Sequence, residues 1–125
     1  MKRLTYYFLA FLLVSITFNS CTPEEITFDQ NLLIGKWVST IAPGTEYYRY
    51  DTGGKGVTWD TADKVTEAEG QAYTWTLVNA ELTHIHIMTV GGGGVPKIYT
   101  VTELTATTLK YKDDFNKTFS YTKVK

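Results

Sequence analysis

The chain has 125 residues, 43% of them hydrophobic, and a formal net charge of −1 at pH 7, which suits one folded domain with a single core. Its single cysteine excludes an intramolecular disulfide. The slight acidity argues against nucleic acid as a partner, because proteins that bind nucleic acid carry a basic face.

The first predicted element is a leader peptide over residues 1–20. Lys2 and Arg3 precede an almost wholly apolar run of 13 residues, 6–18. This run is shorter than the ~20 residues of a membrane-spanning helix and is typical of a cleavable signal peptide. A buried first strand is the alternative interpretation. Removal of residues 1–20 would leave 10 basic and 13 acidic residues, and so a formal charge of −3.

The segment Phe18-Asn19-Ser20-Cys21 resembles the lipobox at which bacterial lipoproteins are cleaved and lipidated. Ser20 is the small residue that this motif expects before the cysteine. The resemblance implies that Cys21 carries the lipid, that residues 21–31 form a tether, and that the protein is anchored to the outer membrane of a Gram-negative bacterium. The periplasmic face and the cell surface both remain open.

Residues 32–125 predict an all-β domain. Short runs rich in Thr, Val, Ile, Tyr and Trp are separated by turn residues. Short connections predict antiparallel neighbours, and eight such strands can form a closed or half-open up-and-down barrel. A two-sheet sandwich is the alternative. The predicted strands are 35–41, 45–50, 56–61, 72–78, 81–90, 95–104, 108–112 and 117–124.

The hairpin between the fourth and fifth strands carries two leucines five residues apart. If these leucines pair, the alternation of side chains puts a tryptophan, a tyrosine and both histidines of the chain on the same face. The aromatic and leucine content predicts that this face is the interior. The predicted cross-strand pairs are Leu77–Leu82, Trp75–His84 and Tyr73–His86.

Two further observations concern register. Ile85 and Ile87 occupy the opposite face of the histidine strand, so a slip of one residue would bury them and turn the histidines outward. This outward arrangement stays open as an alternative. In the next hairpin, the same leucine spacing predicts that Glu103 faces Lys110, a favourable cross-strand charge pair.

The motif Gly35-Lys36-Trp37 resembles the Gly-x-Trp signature of lipocalins, and the later spacing resembles the small lipocalin-like domain of Bacteroidetes lipoproteins. The resemblance covers about residues 32–124. It implies a calycin-type barrel whose base is closed by Trp37, with Lys123 packed over that tryptophan. The later residues that carry the resemblance are Trp75, Leu77, Leu82, Thr83, Tyr99, Val101, Leu104 and Leu109.

An aromatic barrel interior predicts binding of a small, partly apolar ligand, with histidines supplying polar contacts. A cavity below the ~300 Å³ typical of ligand sites would argue against this hypothesis. The two histidines could also meet a metal ion, but zinc needs three or four ligands, so no metal and no cofactor is predicted. The residues predicted to line the pocket are Trp59, Tyr73, Trp75, His84, His86 and Tyr111.

The alternative function is a module that binds an envelope protein or a glycan. An eight-stranded barrel is only just wide enough for its own side chains, so its interior can be completely filled. Binding would then use the loops after the first, third, fifth and seventh strands, which share one end. No catalytic triad or phosphate-binding loop stands out in the sequence, so no enzymatic activity is predicted.

Overall fold

The computed structural model describes residues 24–88 and 93–125. The leader predicted over residues 1–20 and the lipid site predicted at Cys21 lie outside the described residues. In the described part, no helix is long and apolar enough to cross a membrane. A short helix, α1 (Gln30–Leu33), precedes eight strands: β1 (Gly35–Ser39), β2 (Glu46–Asp51), β3 (Lys55–Asp60), β4 (Gln71–Val78), β5 (Glu81–His86), β6 (Pro96–Leu104), β7 (Thr108–Lys112) and β8 (Thr118–Lys123).

The strands form a closed barrel in which each strand pairs antiparallel with its neighbours in chain order. Three residue pairs between β1 and β8, from Trp37–Lys123 to Ser39–Tyr121, complete the ring. The predicted all-β, eight-stranded up-and-down barrel is therefore confirmed, and the two-sheet sandwich is excluded. We call the end with the loops after β1, β3, β5 and β7 the mouth, and the end with α1 the base.

The leucine spacings predicted the register of two hairpins correctly. In the β4–β5 hairpin, Leu77 pairs with Leu82, and the tryptophan and tyrosine of β4 pair with the two histidines of β5. In the β6–β7 hairpin, Glu103 pairs with Lys110, and their charged groups lie 3.3 Å apart. His84 is 0% exposed, so the inward arrangement holds and the alternative with outward histidines is wrong.

The fifth strand is shorter than predicted. The sequence predicts a strand over residues 81–90, but β5 ends at His86 and residues 87 and 88 lie outside it. Residues 89 and 90 are not among the described residues. Ile85 pairs with Pro96, the first residue of β6, and a proline has no N–H to extend the ladder. Ile87 still donates its N–H to the carbonyl oxygen of Ala72, at 2.9 Å, while Ile87 and Met88 are exposed.

The base is closed around Trp37, which is 0% exposed. Its indole Nε1 donates a hydrogen bond to the carbonyl oxygen of Leu33, the last residue of α1, at 2.8 Å. The Nζ of Lys123 lies 5.1 Å from the centre of the indole ring and donates to the carbonyl oxygen of Leu32 at 3.2 Å. The predicted packing of Lys123 over Trp37 is confirmed, and it joins α1, β1 and β8.

Gly35 shows why a glycine precedes this tryptophan. Its φ angle is +133°, and a Cβ atom at this position would lie 2.6 Å from Cε of Lys123. A side chain would meet both an unfavourable backbone conformation and the lysine that covers Trp37. The glycine of the Gly-x-Trp motif therefore leaves the space in which Lys123 packs over Trp37.

Candidate functional site

The middle of the barrel is filled by aromatic side chains. Strand alternation points them inward, and they are 0–7% exposed. We call this group the tyrosine layer; it comprises Tyr48, Tyr50, Tyr73, Tyr111 and Tyr121. Neighbouring rings are in contact: the centres of Tyr111 and Tyr121 are 5.5 Å apart, and those of Tyr48 and Tyr121 are 5.7 Å apart.

His84 lies inside the tyrosine layer. Its ring centre is 5.1 Å from that of Tyr73 and 5.3 Å from that of Tyr48. Its Nε2 shares a 2.9 Å hydrogen bond with the hydroxyl of Tyr50. Burial, followed by the charges of His86 and Lys97, lowers the pKa of His84 to about 3. This imidazole is therefore neutral at neutral pH and acts as a structural polar group in the core.

His86 occupies the next inward position towards the mouth and is half-buried. Its Nδ1 lies 3.2 Å from the side-chain oxygen Oε1 of Gln71. The amide of Gln71 thus engages Nδ1, and Nε2 has no hydrogen-bond partner among the described residues. Burial and the nearby charge of Lys97 lower the pKa of His86. His86 is thus a neutral imidazole with an unpaired ring nitrogen near the mouth.

Two buried ring nitrogens lack a hydrogen-bond partner among the described residues: Nδ1 of His84 and Nε2 of His86. A buried polar atom without a partner costs about 1–3 kcal/mol, so a bound water or ligand group at either nitrogen would be stabilising. The two ring centres are 6.4 Å apart. Across residues 24–88 and 93–125, no three His, Cys, Asp or Glu side chains are grouped to hold a metal ion.

Above the tyrosine layer, towards the mouth, the inward side chains are only half-buried and mix apolar with polar groups. The rings of Tyr99 and Phe119 lie 5.7 Å apart. The carboxylate of Glu46 is close enough to raise the pKa of Tyr99, after the larger effect of burial. We call these residues the mouth set: Glu46, His86, Tyr99 and Phe119.

Glu46 and Phe119 of the mouth set also border a small cavity of about 140 Å³, together with Asp60, Lys117 and the β1–β2 loop. This volume is below the ~300 Å³ lower end of typical ligand sites, so it argues against the predicted ligand deep inside the barrel and leaves only a shallow site at the mouth. Two larger grooves, of about 470 and 620 Å³, lie outside the barrel interior, beside α1 and beside the β4–β5 turn. The space that the sequence assigns to a ligand is thus taken up largely by protein side chains at the level of His84.

The structure brings together four of the six residues predicted to line a pocket. Tyr73, His84 and Tyr111 lie in the tyrosine layer, and His86 lies directly above it. Trp75 is interior but nearer the base, where its Nε1 donates to the carbonyl oxygen of Lys55 at 2.8 Å. None of the three residues in the layer is more than 1% exposed, so they form the floor of any site at the mouth.

The prediction that Trp59 lines the interior is wrong. Trp59 pairs with Tyr47, and both belong to the outer face, since the inward residue of β2 is the adjacent Tyr48. The rings of Tyr47 and Trp59 stack at 5.1 Å, and Nζ of Lys36 lies 5.6 Å from the indole centre. These outer contacts, together with the 2.6 Å ion pair between Lys36 and Glu67, explain how a tryptophan outside the barrel is 7% exposed.

The site includes residues that sequence reasoning missed, above all Tyr50, Gln71 and Glu46. Tyr50 is the hydrogen-bond partner of His84, although it comes from a strand that is not adjacent in the sheet. The alternation Glu46, Tyr48, Tyr50 in β2 was a usable signal for an inward face. The pairing of Trp37 with Tyr48 fixes that alternation.

The barrel has a counterpart among solved structures. It is similar to a lipocalin-like protein from Bacteroides uniformis, with a TM-score of 0.55 and 15% sequence identity over 74% of this chain and 99% of the other. The fold is that of a lipocalin-like barrel. No family sequence model matches the chain, and no curated protein matches it in sequence. The resemblance seen in the sequence is therefore confirmed at the level of the fold.

The hydroxyl of Tyr50 gives a test of how this lipocalin-like barrel holds His84. We expect Tyr50→Phe to lower the free energy of unfolding by about 1–3 kcal/mol, because Nε2 of a fully buried histidine loses a hydrogen bond. Urea denaturation measures the change. Tyr47→Phe, on the outer face, is the matched control and should change stability by no more than ~0.5 kcal/mol. Equal effects of the two substitutions would contradict the assignment.

Proposed function

We propose that this protein is a lipid-anchored, non-catalytic binding protein of the Gram-negative cell envelope, and that its lipocalin-like barrel binds a small, partly apolar ligand at the mouth. The observation that carries the proposal is the mouth set, which offers half-buried aromatic and polar groups above a filled interior. The proposed localisation to the cell envelope rests on the sequence of residues 1–21, where an apolar leader precedes a cysteine in a lipobox-like motif.

The mouth set has the composition of a small-molecule site. Tyr99 and Phe119 offer ring surface, while Nε2 of His86 is a ring nitrogen with no hydrogen-bond partner among the described residues. Apolar walls with a few convergent polar groups are the usual features of ligand sites. The filled tyrosine layer limits the depth of binding, so the ligand is a single ring or short chain carrying a polar group that can hydrogen-bond to the imidazole.

The proposal includes no catalysis because the histidines have unreactive partners. His84 bonds to the hydroxyl of Tyr50, and burial raises the pKa of that hydroxyl well above its usual range. His86 bonds to the amide of Gln71. A general base next to an activated nucleophile would be needed for covalent catalysis, and neither pair supplies one.

Native mass spectrometry of the protein purified from its own host tests ligand binding. We expect a retained small molecule that is lost in Phe119→Ala, at the mouth, and kept in Ile98→Ala. Ile98 is the control because it is 48% exposed on the outer wall. Retention of the same molecule by both variants, or its absence from the unaltered protein, would contradict binding at the mouth.

The lipid anchor has a separate test in the same host. Mass spectrometry of the membrane-bound protein should show an N-terminal Cys21 carrying acyl chains, with residues 1–20 removed. Cys21→Ser should prevent lipidation, since the lipid is attached to the sulfur atom of the cysteine. An unmodified cysteine in the membrane fraction would contradict the anchor without affecting the ligand proposal.

A second candidate function is a protein- or glycan-interaction module, and one observation favours it. Large apolar side chains are exposed on three mouth loops: Ile41 is 47% exposed, Met88 53% and Phe115 91%. Exposed apolar residues grouped at one end are typical of interaction surfaces. In cross-linking from the mouth loops, a reproducible protein partner with no retained small molecule would favour this candidate over the first.

A further inference from the structure

The first described residues, 24–29, form hydrogen bonds to the β4–β5 turn at the base of the barrel. The N–H of Phe28 donates to the carbonyl oxygen of Asn79, in the β4–β5 turn, at 3.3 Å. The side-chain amide of the same asparagine donates to a carboxylate oxygen of Glu25 at 2.5 Å. These two hydrogen bonds hold the segment that precedes α1 against the base of the barrel.

The distance from these contacts to the proposed lipid is short. Three residue steps separate Glu24 from Cys21, and an extended chain covers at most about 3.6 Å per residue, so the Cα atoms of the two residues lie within ~11 Å. The eight residues of β4, at about 3.4 Å each and a tilt of ~40°, give a barrel height of ~20 Å. The lipid attachment point therefore stays near the base and well short of the mouth.

The base also has a surface that suits the headgroup region of a bilayer. Ile26 and Val78, which line the 620 Å³ groove, are 65% and 62% exposed. Glu24, Glu25 and Glu81 also line that groove, which disfavours close approach to anionic lipids. Contact with uncharged or zwitterionic headgroups through the two apolar residues fits this combination.

We propose that the base of the barrel faces the bilayer that holds the lipid of Cys21 and that the mouth points away from it, into the aqueous phase. The inference rests on the proposed lipid anchor. It deepens the proposed function, because the ligand of the mouth must then arrive from water and not from the membrane beneath the protein. The exposed apolar residues of the mouth loops are likewise directed away from that membrane.

The test uses two single-cysteine variants of the lipidated protein, Ala106→Cys and Asp114→Cys. Ala106 lies in the β6–β7 turn at the base and Asp114 in the β7–β8 loop at the mouth, and both are exposed. Because the thiol of Cys21 is consumed by the lipid, the introduced cysteine is the only reactive thiol. Each variant is labelled with a fluorophore and placed in phosphatidylcholine vesicles that contain a nitroxide-headgroup lipid as a short-range quencher.

We expect at least two-fold stronger quenching of the label at Ala106→Cys than of the label at Asp114→Cys. The same labels on proteins that also carry Cys21→Ser give the unquenched reference. Equal quenching of vesicle-bound proteins, or stronger quenching at the mouth, would overturn the orientation alone. Failure of the unaltered protein to sediment with the vesicles would refute the lipid anchor, and the orientation with it.

Discussion

Acidification from pH 7 to pH 4 is expected to destabilise the protein by about 3 kcal/mol through His84 alone. Burial lowers the pKa of this histidine from 6.5 to about 3 in the folded protein. Between these two values the unfolded chain takes up a proton that the folded chain does not, so the free energy of unfolding rises with pH in this window. Below pH 3 both states are protonated and the loss levels off.

The measurement is a series of urea denaturations of the wild type and of His84→Gln at pH values between 3.5 and 7.5. Glutamine does not titrate, so the variant should be less stable at pH 7 but lose less stability on acidification. The difference between the two pH profiles isolates the histidine. This matters because the pKa of Glu67 is lowered by its hydrogen bonds to Lys36 and Arg49. Protonation of that carboxylate therefore also lowers the stability of the protein in acid.

Parallel pH profiles for the wild type and His84→Gln would contradict the burial of a neutral histidine. His86→Gln is a useful comparison, because His86 is half-buried and its pKa is lowered in the same direction. We expect His86→Gln to change the slope less than His84→Gln does, because a half-buried group stays partly solvated when it is charged.

Trp37→Ala is expected to lower the free energy of unfolding by about 3–5 kcal/mol, the usual cost of removing a large buried aromatic side chain. The side chain is 0% exposed, and its loss also removes the hydrogen bond to Leu33 and the ring beneath Lys123. Small domains are stable by only 5–15 kcal/mol in general, so this change alone could unfold much of the protein. Urea denaturation followed by circular dichroism measures it.

Two further variants make this prediction sharper. Phe115→Ala removes an aromatic side chain that is 91% exposed and should change stability by no more than ~0.5 kcal/mol. Trp37→Phe retains a ring in the base but loses the indole N–H, so its stability should fall between those of the wild type and Trp37→Ala. A Trp37→Ala protein as stable as Phe115→Ala would show that the base does not depend on this residue.

Much of the fold was predictable because its information is local. The spacing of Leu77 and Leu82 fixes the β4–β5 register, and strand alternation then decides which way His84 and His86 point. The Gly-x-Trp motif correctly predicted the closure of the base by Trp37. The end of β5 was harder to predict, because it depends on where Pro96 falls in the partner strand.

The candidate site was less predictable because its contacts cross the barrel. The bond between Tyr50 and His84 joins β2 to β5, and no local pattern encodes which inward residues of non-adjacent strands meet. Trp59 was misassigned for a related reason. Its direction depends on its pairing with Tyr47. The larger apolar residues of β3, Val57 and Trp59, share the face that turns outward, so hydrophobicity alone indicated the wrong face.

The tyrosine layer also bears on how such a chain changes over evolutionary time. A barrel filled by its own rings is constrained in the total volume of its interior more than in the identity of each residue, since volume-conserving replacements cost least. A smaller ring on one strand can be offset by a larger side chain on the strand opposite. Homologous barrels are then expected to differ at most positions while keeping the same inward-facing register, so alignment by alternating position should detect relationships that residue identity misses.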